Sequence, residues 1–326
     1  MAIEGVVVTV ADRTIRGWAV DTDSTEPVEV TLHLDGQPIN RTWAMQYNKR
    51  RTQRNGGHVS FSFGMMQLWQ HLRRRQRLTV TAAGQPLRFR HHGESYVVQE
   101  DGPDPVDVAA AVRDGMVISK FGRLMPPAAT DTTWAEQVIP EYQRLHNLFA
   151  CEFDRPLFIF HGALLGIARE GGLIAHDQDI DLAYLSPHSD PDEVRDEFFT
   201  IQRRAISLRP YAAPHEFKLR ILDHRMSITA CWFDKTGQLF NSYGFVGDGD
   251  IAPDDVIPLR TVTLQGHDVH VPSDPEAVSR YTYGRYWRYP DPGWRWLAVY
   301  KSRPETLASR LSPEQVEQLE AMRMPT

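Results

Sequence analysis

The chain has 326 residues, of which 41% are hydrophobic and 24% are charged, the composition of an ordinary soluble globular protein. No run of residues reaches the roughly 18 apolar positions of a membrane span. The first twenty residues lack the basic-then-apolar layout of a secretory signal, and only two cysteines are present, which excludes a disulfide scaffold. We therefore expect a reduced, cytoplasmic protein.

The net charge of −6 is unevenly distributed along the chain. Residues 1–100 contain 13 Lys+Arg and 9 Asp+Glu, a balance of 13 − 9 = +4, which leaves −10 for the remainder. The basic excess lies in two runs, 48–54 and 73–77. Such runs bind phosphate, anionic glycan or an acidic membrane surface, or lie solvated at a strand edge. The acidic remainder argues against nucleic acid as a partner. Peripheral association with the inner face of the membrane and the oligomeric state both stay open.

Residues 1–95 have the pattern of a small antiparallel β-sandwich, which we interpret as an accessory module. Apolar residues recur at period two from Val6 to Val10, from Val28 to Leu34 and from Phe61 to Phe63. That period predicts half-buried strands, and turn residues such as Asp35-Gly36 separate them.

Residues 96–130 are predicted to be a connector with one or two short elements, because the periodic pattern weakens there. A second domain is predicted from residue 131 to residue 326. It begins with an amphipathic helix from Thr132 to Glu152 that Pro140 is expected to kink. A buried strand is expected at 157–160.

The chain is predicted to end in a helix that begins at Ser312-Pro313. Ser312 suits the N-cap, Pro313 the first helical position and Gln315 a capping box. The helix is expected to run to about Met322.

Three aspartates, Asp177, Asp179 and Asp181, carry the chemistry that the sequence suggests. On an extended segment they project from one face, about 6.6 Å apart, while Ile180 and Leu182 enter the core. Three crowded carboxylates repel unless a cation neutralises them, and a hard divalent ion, Mg²⁺ or Mn²⁺, is the natural choice. Such an ion also serves phosphoryl transfer. The alternative is an acidic surface turn.

Four further residues near this motif or on a later strand are candidates. His176 precedes the aspartates and suits either a general base or a supporting role. Arg169 suits a phosphate clamp or a salt bridge to Glu170. Lys218 and Arg220 alternate on one strand face, where they meet either a phosphate or solvent.

The segments Gly162–Arg169 and Leu173–Asp181 resemble the LicD/fukutin-related phosphotransferase family, whose pattern is G-T-L-L-G-x-x-R, a short turn and I-P-W-D-D-D-I-D. Later segments, Val256–Leu259, Val269–Pro272 and Tyr283–Trp287, are similar to its downstream elements. The ordered matches cover residues 132–295. The segment Gly17–Asp21 also resembles a small β-module found in bacterial glycan-assembly proteins.

The resemblance implies an α+β chain, with the β-sandwich followed by a nucleotidyltransferase-like mixed-sheet domain with flanking helices. It implies that Asp177, Asp179, Asp181 and His176 are catalytic, that the three aspartates bind Mg²⁺, and that Gly162, Gly166, Arg169, Lys218 and Arg220 bind substrate. One departure concerns an acid that the family often carries on a later strand. By our register that acid falls at Thr229 or Ala230, so it is absent unless Asp223 or Asp234 replaces it.

The function that these patterns favour is a metal-dependent phosphotransferase of surface polysaccharide or capsule assembly. It would move a phospho-alcohol, such as phosphocholine, glycerol phosphate or ribitol phosphate, from a CDP-activated donor. The acceptor would be a sugar hydroxyl of a glycan or lipid-linked glycan. A non-catalytic glycan-binding or scaffold protein and a nucleotidyltransferase acting on a small molecule are the alternatives.

Overall fold

The computed structural model describes residues 2–177, 179–208, 211–221, 224–244, 247, 249–294 and 303–323. The chain forms two units, one of residues 1–127 and 288–295, the other of residues 128–287 and 296–326. Asp223, one of the two replacements considered for the absent acid, lies outside the described residues.

Two antiparallel sheets build the first unit. The first contains β1 (Ile3–Ala11), β2 (Thr14–Asp21), β5 (Gln46–Tyr47) and β6 (His58–Gly64) in the order β1-β2-β6-β5. The second contains β3 (Val28–Leu34), β4 (Gln37–Ala44), β7 (Arg77–Ala82), β8 (Gln85–Leu87) and β9 (Tyr96–Val97) in the order β4-β3-β7-β8, with β9 also on β7. Alternate residues of β3 are buried, and the two sheets share one apolar core. The predicted N-terminal β architecture is confirmed.

The predicted connector, residues 96–130, contains a helix and a β-hairpin. It holds α1 (Val108–Arg113) and a hairpin of β10 (Val117–Ile118) and β11 (Leu124–Met125). The carboxylate of Asp107 caps α1 by accepting a hydrogen bond of 2.8 Å from the amide of Ala110. A side-chain cap of this kind satisfies one of the amides that the first turn of a helix leaves unpaired.

A late segment of the chain, residues 288–294, packs within the first unit although the sequence suggested one continuous domain from 131 to 326. Asp291 accepts hydrogen bonds from Thr42 Oγ1 at 3.0 Å, Gln46 Nε2 at 2.9 Å and the Gly293 amide at 3.0 Å. A Cβ on Gly293 would lie 2.4 Å from the carbonyl oxygen of Ser62, so only glycine allows this close approach.

A mixed sheet forms the centre of the second unit. Its strands are β12 (Phe158–Phe160), β13 (Asp179–Leu185), β14 (Tyr211–Ala213), β15 (Glu216–Ile221), β16 (His224–Phe233) and β17 (Leu239–Asn241). The order is β12-β13-β16-β15-β14, with β17 also on β16. Only β13 and β16 run parallel among these described pairs. A separate hairpin contains β18 (Arg260–Leu264) and β19 (His267–Val271).

Helices surround this sheet. They are α2 (Ile139–Phe153), α3 (His161–Glu170), α4 (Pro191–Arg204), α5 (Pro253–Val256), α6 (Pro275–Tyr283), α7 (Pro304–Ala308) and α8 (Pro313–Arg323). The predicted α+β class, with a mixed sheet and flanking helices, is confirmed. None of the helices in the described ranges is long and apolar enough to cross a membrane.

Two predicted helix features can be compared with the structure. A π-helical turn, Trp134–Val138, continues directly into α2, so the expected helix is present with a local irregularity just before Pro140, and the kink at this proline stays a prediction. The capping box at the start of α8 is confirmed. The amide of Gln315 donates to Ser312 Oγ at 3.2 Å, and the amide of Ser312 donates to Gln315 Oε1 at 3.0 Å.

Replacing Asp291 with alanine tests how firmly residues 288–294 are bound within the first unit. The change leaves three hydrogen-bond donors without their acceptor, which costs roughly 1–3 kcal/mol of unfolding free energy. Urea unfolding would measure it, with the exposed Asp12→Ala as the matched control. Equal stability of the two variants would show that Asp291 contributes nothing to this packing.

A pair of stacked histidines predicts how the stability of the second unit depends on pH. The rings of His146 and His270 lie 3.8 Å apart and 3° from parallel, and Tyr142 Oη lies 3.1 Å from His270 Nδ1. Burial lowers the pKa of His270 below 6.5, the charge of His146 acts in the same direction, and Asp268 opposes both. On acidification, the His270 side chain therefore takes up its proton at a higher pH in the unfolded chain than in the folded protein.

Stability should consequently be highest above about pH 6.5 and should fall as the pH drops toward the lowered pKa of the folded state. His270→Gln should reduce that slope in chemical unfolding between pH 7 and pH 5. His267→Gln, on the same strand, is the control. If the wild type and His270→Gln have the same slope, the histidine pair does not couple folding to protonation.

Candidate functional site

The acidic motif lies where the end of β12 meets the start of β13. These strands are antiparallel, and Phe160, the last residue of β12, pairs with Asp181. Helix α3 begins at the next residue, so its first turn lies at the same end of the sheet as the aspartates. The positive end of a helix dipole stabilises carboxylates in this position.

Gly162, in the first turn of α3, lies directly against two carboxylates. A Cβ built on this glycine would lie 2.7 Å from Asp177 Oδ2 and 3.9 Å from Asp181 Oδ2. The first distance is shorter than real Cβ atoms show, so a larger residue would displace the Asp177 carboxylate. The absence of a side chain thus brings the helix backbone and both acids together.

The three aspartates do not share one strand face as the sequence suggested. Strand β13 begins at Asp179, so Asp179 and Asp181 point to one face, while Ile180 and Leu182 are fully buried on the other. Asp177 lies before the strand because its amide donates to the carbonyl of Ile174 at 2.9 Å and closes a turn. This turn, rather than the alternation of side chains along a strand, directs Asp177 toward Gly162.

The described residues contain no group of three or more His, Cys, Asp or Glu side chains close enough to hold a metal ion. The expected cage of three carboxylates is therefore not preformed in that part of the chain. Two carboxylates beside a helix backbone still fit Mg²⁺, which is commonly bound by one or two carboxylates and takes its other ligands from water and substrate phosphates. The donor atoms are all oxygens, as a hard cation requires.

Tyr283, the last residue of α6, lies close enough to Asp177 and Asp181 for their charges to affect its pKa. Burial raises its pKa well above the ordinary value, the charges of Asp181 and Asp177 raise it further, and Arg169 opposes them. Its phenol therefore stays protonated at neutral pH. No local pattern marked Tyr283 as a site residue, because only the packing of α6 beside α3 brings it there.

Arg169 and His176 both lie close to the acids in the sequence. In the structure Arg169 forms a salt bridge, whereas His176 lies in a turn. The guanidinium of Arg169 donates to Glu170 Oε1, with Nη2 at 2.5 Å and Nε at 3.1 Å, and only 9% of the side chain is exposed. The salt bridge, one of the two alternatives for Arg169, is thus formed. His176 is half-buried in the turn before Asp177. Phosphate binding and base catalysis by these residues stay predictions.

Gly166 supports the site through packing. A Cβ there would lie 2.4 Å from the carbonyl oxygen of Gly172 and 2.9 Å from the amide nitrogen of Ile174. The glycine therefore lets α3 pack against the backbone that leads to the acidic turn. Its contact with substrate stays a prediction.

Lys218 is held by a buried carboxylate on the same strand. Glu216 Oε1 lies 2.5 Å from Lys218 Nζ and 2.9 Å from His215 Nε2. Burial alone would raise the pKa of Glu216, but the hydrogen bonds from His215 and Lys218 outweigh it and hold the pKa at about 2. Glu216 is consequently ionised at any physiological pH.

Among the described residues of the neighbouring strand, no acid stands beside the aspartates. On β16, Arg225 is paired with Asp179 and Ser227 with Asp181, whereas Thr229 pairs with Ala183, further along the sheet. The sequence of β16 contains no Asp or Glu. β16 therefore contains no acid, and the position of the family's later acid at Thr229 or Ala230 stays a prediction.

The other replacement, Asp234, does not fill this gap. Its Oδ1 accepts hydrogen bonds of 2.9 Å from the amides of Thr236 and Gln238 and so stabilises the turn after β16. At Thr229, Oγ1 accepts a hydrogen bond of 2.7 Å from Asn241 Nδ2. A hydroxyl and an amide thus occupy the interior there instead of a carboxylate.

Comparison with known proteins identifies the segment that carries the site. Residues 155–274 match the family model described as LicD/FKTN/FKRP, nucleotidyltransferase domain. This segment belongs to the LicD/FKTN/FKRP family. Membership supports a phosphotransferase-type function in glycan assembly.

Two further comparisons add little to this LicD match. No curated protein matches the chain. A solved structure of the antibiotic-resistance factor ANT(2'')-Ia is 18% identical and covers 57% of this chain and 91% of its own, with a TM-score of 0.28. A TM-score at that level supports no conclusion about fold or function.

Replacing Gly162 with alanine tests whether the glycine holds the acids in place. The methyl group would displace the Asp177 carboxylate, so we expect Mn²⁺ or Mg²⁺ to lose its stabilising effect in thermal unfolding. Gly172→Ala is the matched control, because a Cβ there meets nothing within 4 Å. Equal metal-induced stabilisation of Gly162→Ala and Gly172→Ala would contradict the assignment.

Proposed function

We propose that this LicD-domain protein is a metal-dependent phosphotransferase of surface polysaccharide assembly. It moves a phospho-alcohol from a CDP-activated donor to a sugar hydroxyl of a glycan or lipid-linked glycan. The observation that carries this proposal is the approach of Asp177 and Asp181 to the backbone of Gly162 within a LicD domain. That juxtaposition supplies negative charge for a cation beside the first turn of α3, where helix amides favour phosphate.

The metal is proposed to be Mg²⁺, or Mn²⁺ in its place. Asp177 and Asp181 would hold it, with Asp179 next to them on the face of β13. When bound, the ion supplies charge neutralisation for the diphosphate and for the oxygen that leaves. Because the described residues offer few ligands, the ion depends on the donor's own phosphate oxygens.

The reaction needs one bond to form and one to break. The acceptor hydroxyl oxygen attacks the phosphorus next to the alcohol, and the bond from that phosphorus to the bridging oxygen breaks, so that CMP leaves. His176 is our candidate for the base that takes the hydroxyl proton, and its neighbour Asp177 stabilises the resulting imidazolium. Tyr283 presents a neutral hydroxyl beside the acids.

The residues proposed to bind the donor are held by acidic partners. Arg169 is paired with Glu170 and Lys218 with Glu216. A bound diphosphate would share these two cations with their carboxylate partners. The carboxylates orient the cationic side chains and reduce the positive charge that is available to the diphosphate.

A non-catalytic glycan-binding protein is the second candidate, and the lack of an acid on β16 favours it. Incubation with CDP-glycerol, CDP-ribitol and CDP-choline in the presence of Mg²⁺ separates the two candidates by release of CMP. Consumption of CTP or ATP with release of pyrophosphate would instead favour a nucleotidyltransferase.

Asp181→Asn should reduce CMP release by at least about a hundredfold, because the change removes a metal ligand at the centre of the site. Thermal stability should stay equal or rise slightly, since a like-charge repulsion is relieved. Asp254→Asn, at an exposed position in α5, is the matched control. Turnover of Asp181→Asn close to that of the wild type at saturating Mg²⁺ would refute the assignment.

A further inference from the structure

The first unit contains a polar cavity that the proposed function does not use. Its volume is about 250 Å³. Pockets for drug-sized ligands begin at roughly 300 Å³, so this cavity suits a smaller ligand, such as a single sugar. The turn between β3 and β4, the loop before β7 and the helix α1 all contribute side chains to its wall. All of these segments belong to the first unit.

Two carboxylates in the wall are engaged by the protein's own hydrogen-bond donors. Asp35 Oδ1 accepts a hydrogen bond of 2.8 Å from the amide of Arg77, and Asp35 Oδ2 accepts one of 3.1 Å from Gln76 Nε2. Asp107 Oδ1 accepts a hydrogen bond of 2.8 Å from the amide of Ala110. These two acids therefore stabilise the turn, the loop and the helix that form the wall.

Two arginines in the same wall, Arg73 and Arg113, are available to a ligand. Both are exposed, and among the residues that the structure describes neither guanidinium group has an ion-pair or hydrogen-bond partner. The amide of Arg73 donates to Gln76 Oε1 at 2.7 Å, which fixes the backbone that carries this arginine. A guanidinium group offers five N–H donors and no acceptor. The complementary ligand group is therefore an anion.

We propose that this cavity binds the phosphate or carboxylate group of an anionic sugar. Arg73 and Arg113 come from two separate segments, and each can give an oxyanion two parallel charge-assisted hydrogen bonds. Gln37 lies in the same wall, and its side-chain amide can donate to and accept from sugar hydroxyls. Leu34 and Ala109 are apolar residues of the lining that suit the carbon atoms of a sugar ring.

This site gives a function to the basic run 73–77, which the phosphotransfer reaction leaves unexplained. It lies wholly within the first unit, so it does not depend on the chemistry of the second unit. A charged glycan is thus a ligand of the first unit, whether or not the second unit transfers a phospho-alcohol.

Calorimetry of the full chain without metal ions tests the site, with glucose 6-phosphate, glucuronate and uncharged glucose as probes. We expect the anionic sugars to bind and glucose to bind about tenfold or more weakly, because glucose lacks the charged acceptor. The affinity for the anions should fall as the salt concentration rises. The tighter of the two anionic sugars identifies whether phosphate or carboxylate is the preferred group.

Arg73→Ala and Arg113→Ala should each weaken the binding of the anionic sugars about tenfold or more, since charge-assisted hydrogen bonds are lost. Arg113→Lys, which keeps the charge but loses the planar fork, should give an intermediate affinity. Arg88→Ala is the matched control, because Arg88 is an exposed arginine of the same unit outside the cavity.

Equal affinities of Arg73→Ala, Arg113→Ala and Arg88→Ala would overturn the proposal, because the anion would then bind elsewhere on the chain. Glucose that binds as tightly as the anionic sugars would overturn it as well. Thermal unfolding of each variant checks the fold, and the two arginines lie in separate segments, so either variant alone tests the site.

Discussion

The close approach of a helix backbone to two carboxylates is the constraint on which the second unit depends. Gly162 permits it because a Cβ would lie 2.7 Å from the Asp177 carboxylate. The antiparallel pairing of β12 with β13 brings the start of α3 to Asp181, and Gly166 lets the same helix pack against the turn before Asp177. Two like charges are thereby held near the positive end of a helix dipole, which stabilises carboxylates and also suits phosphates.

Charge on the sheet face is graded rather than uniformly acidic. Carboxylates on β13 give way to arginines on β16 and β15, and the ionised Glu216 balances Lys218.

Local sequence patterns predicted the structural features that depend only on interactions between neighbouring residues. The alternation of Ile180 and Leu182 with the aspartates and the capping box at Ser312 depend on a few neighbouring residues, and both are present. Tyr283 lies beside the aspartates only because α6 packs against α3, and the similarity of Tyr283–Trp287 to a family element did not indicate this position. Residues 288–294 likewise join the first unit only through contacts distant in sequence.

Calorimetric titration of Mg²⁺ with and without CDP tests most directly whether the carboxylate pair needs substrate phosphates to hold its ion. We expect weak Mg²⁺ binding by the free protein and much tighter binding when CDP is present, because the diphosphate supplies the missing oxygen ligands. Linkage requires Mg²⁺ to raise the affinity for CDP by the same factor. Equal Mg²⁺ affinity in the two titrations would contradict the proposed site and would indicate a cage that the protein completes without its substrate.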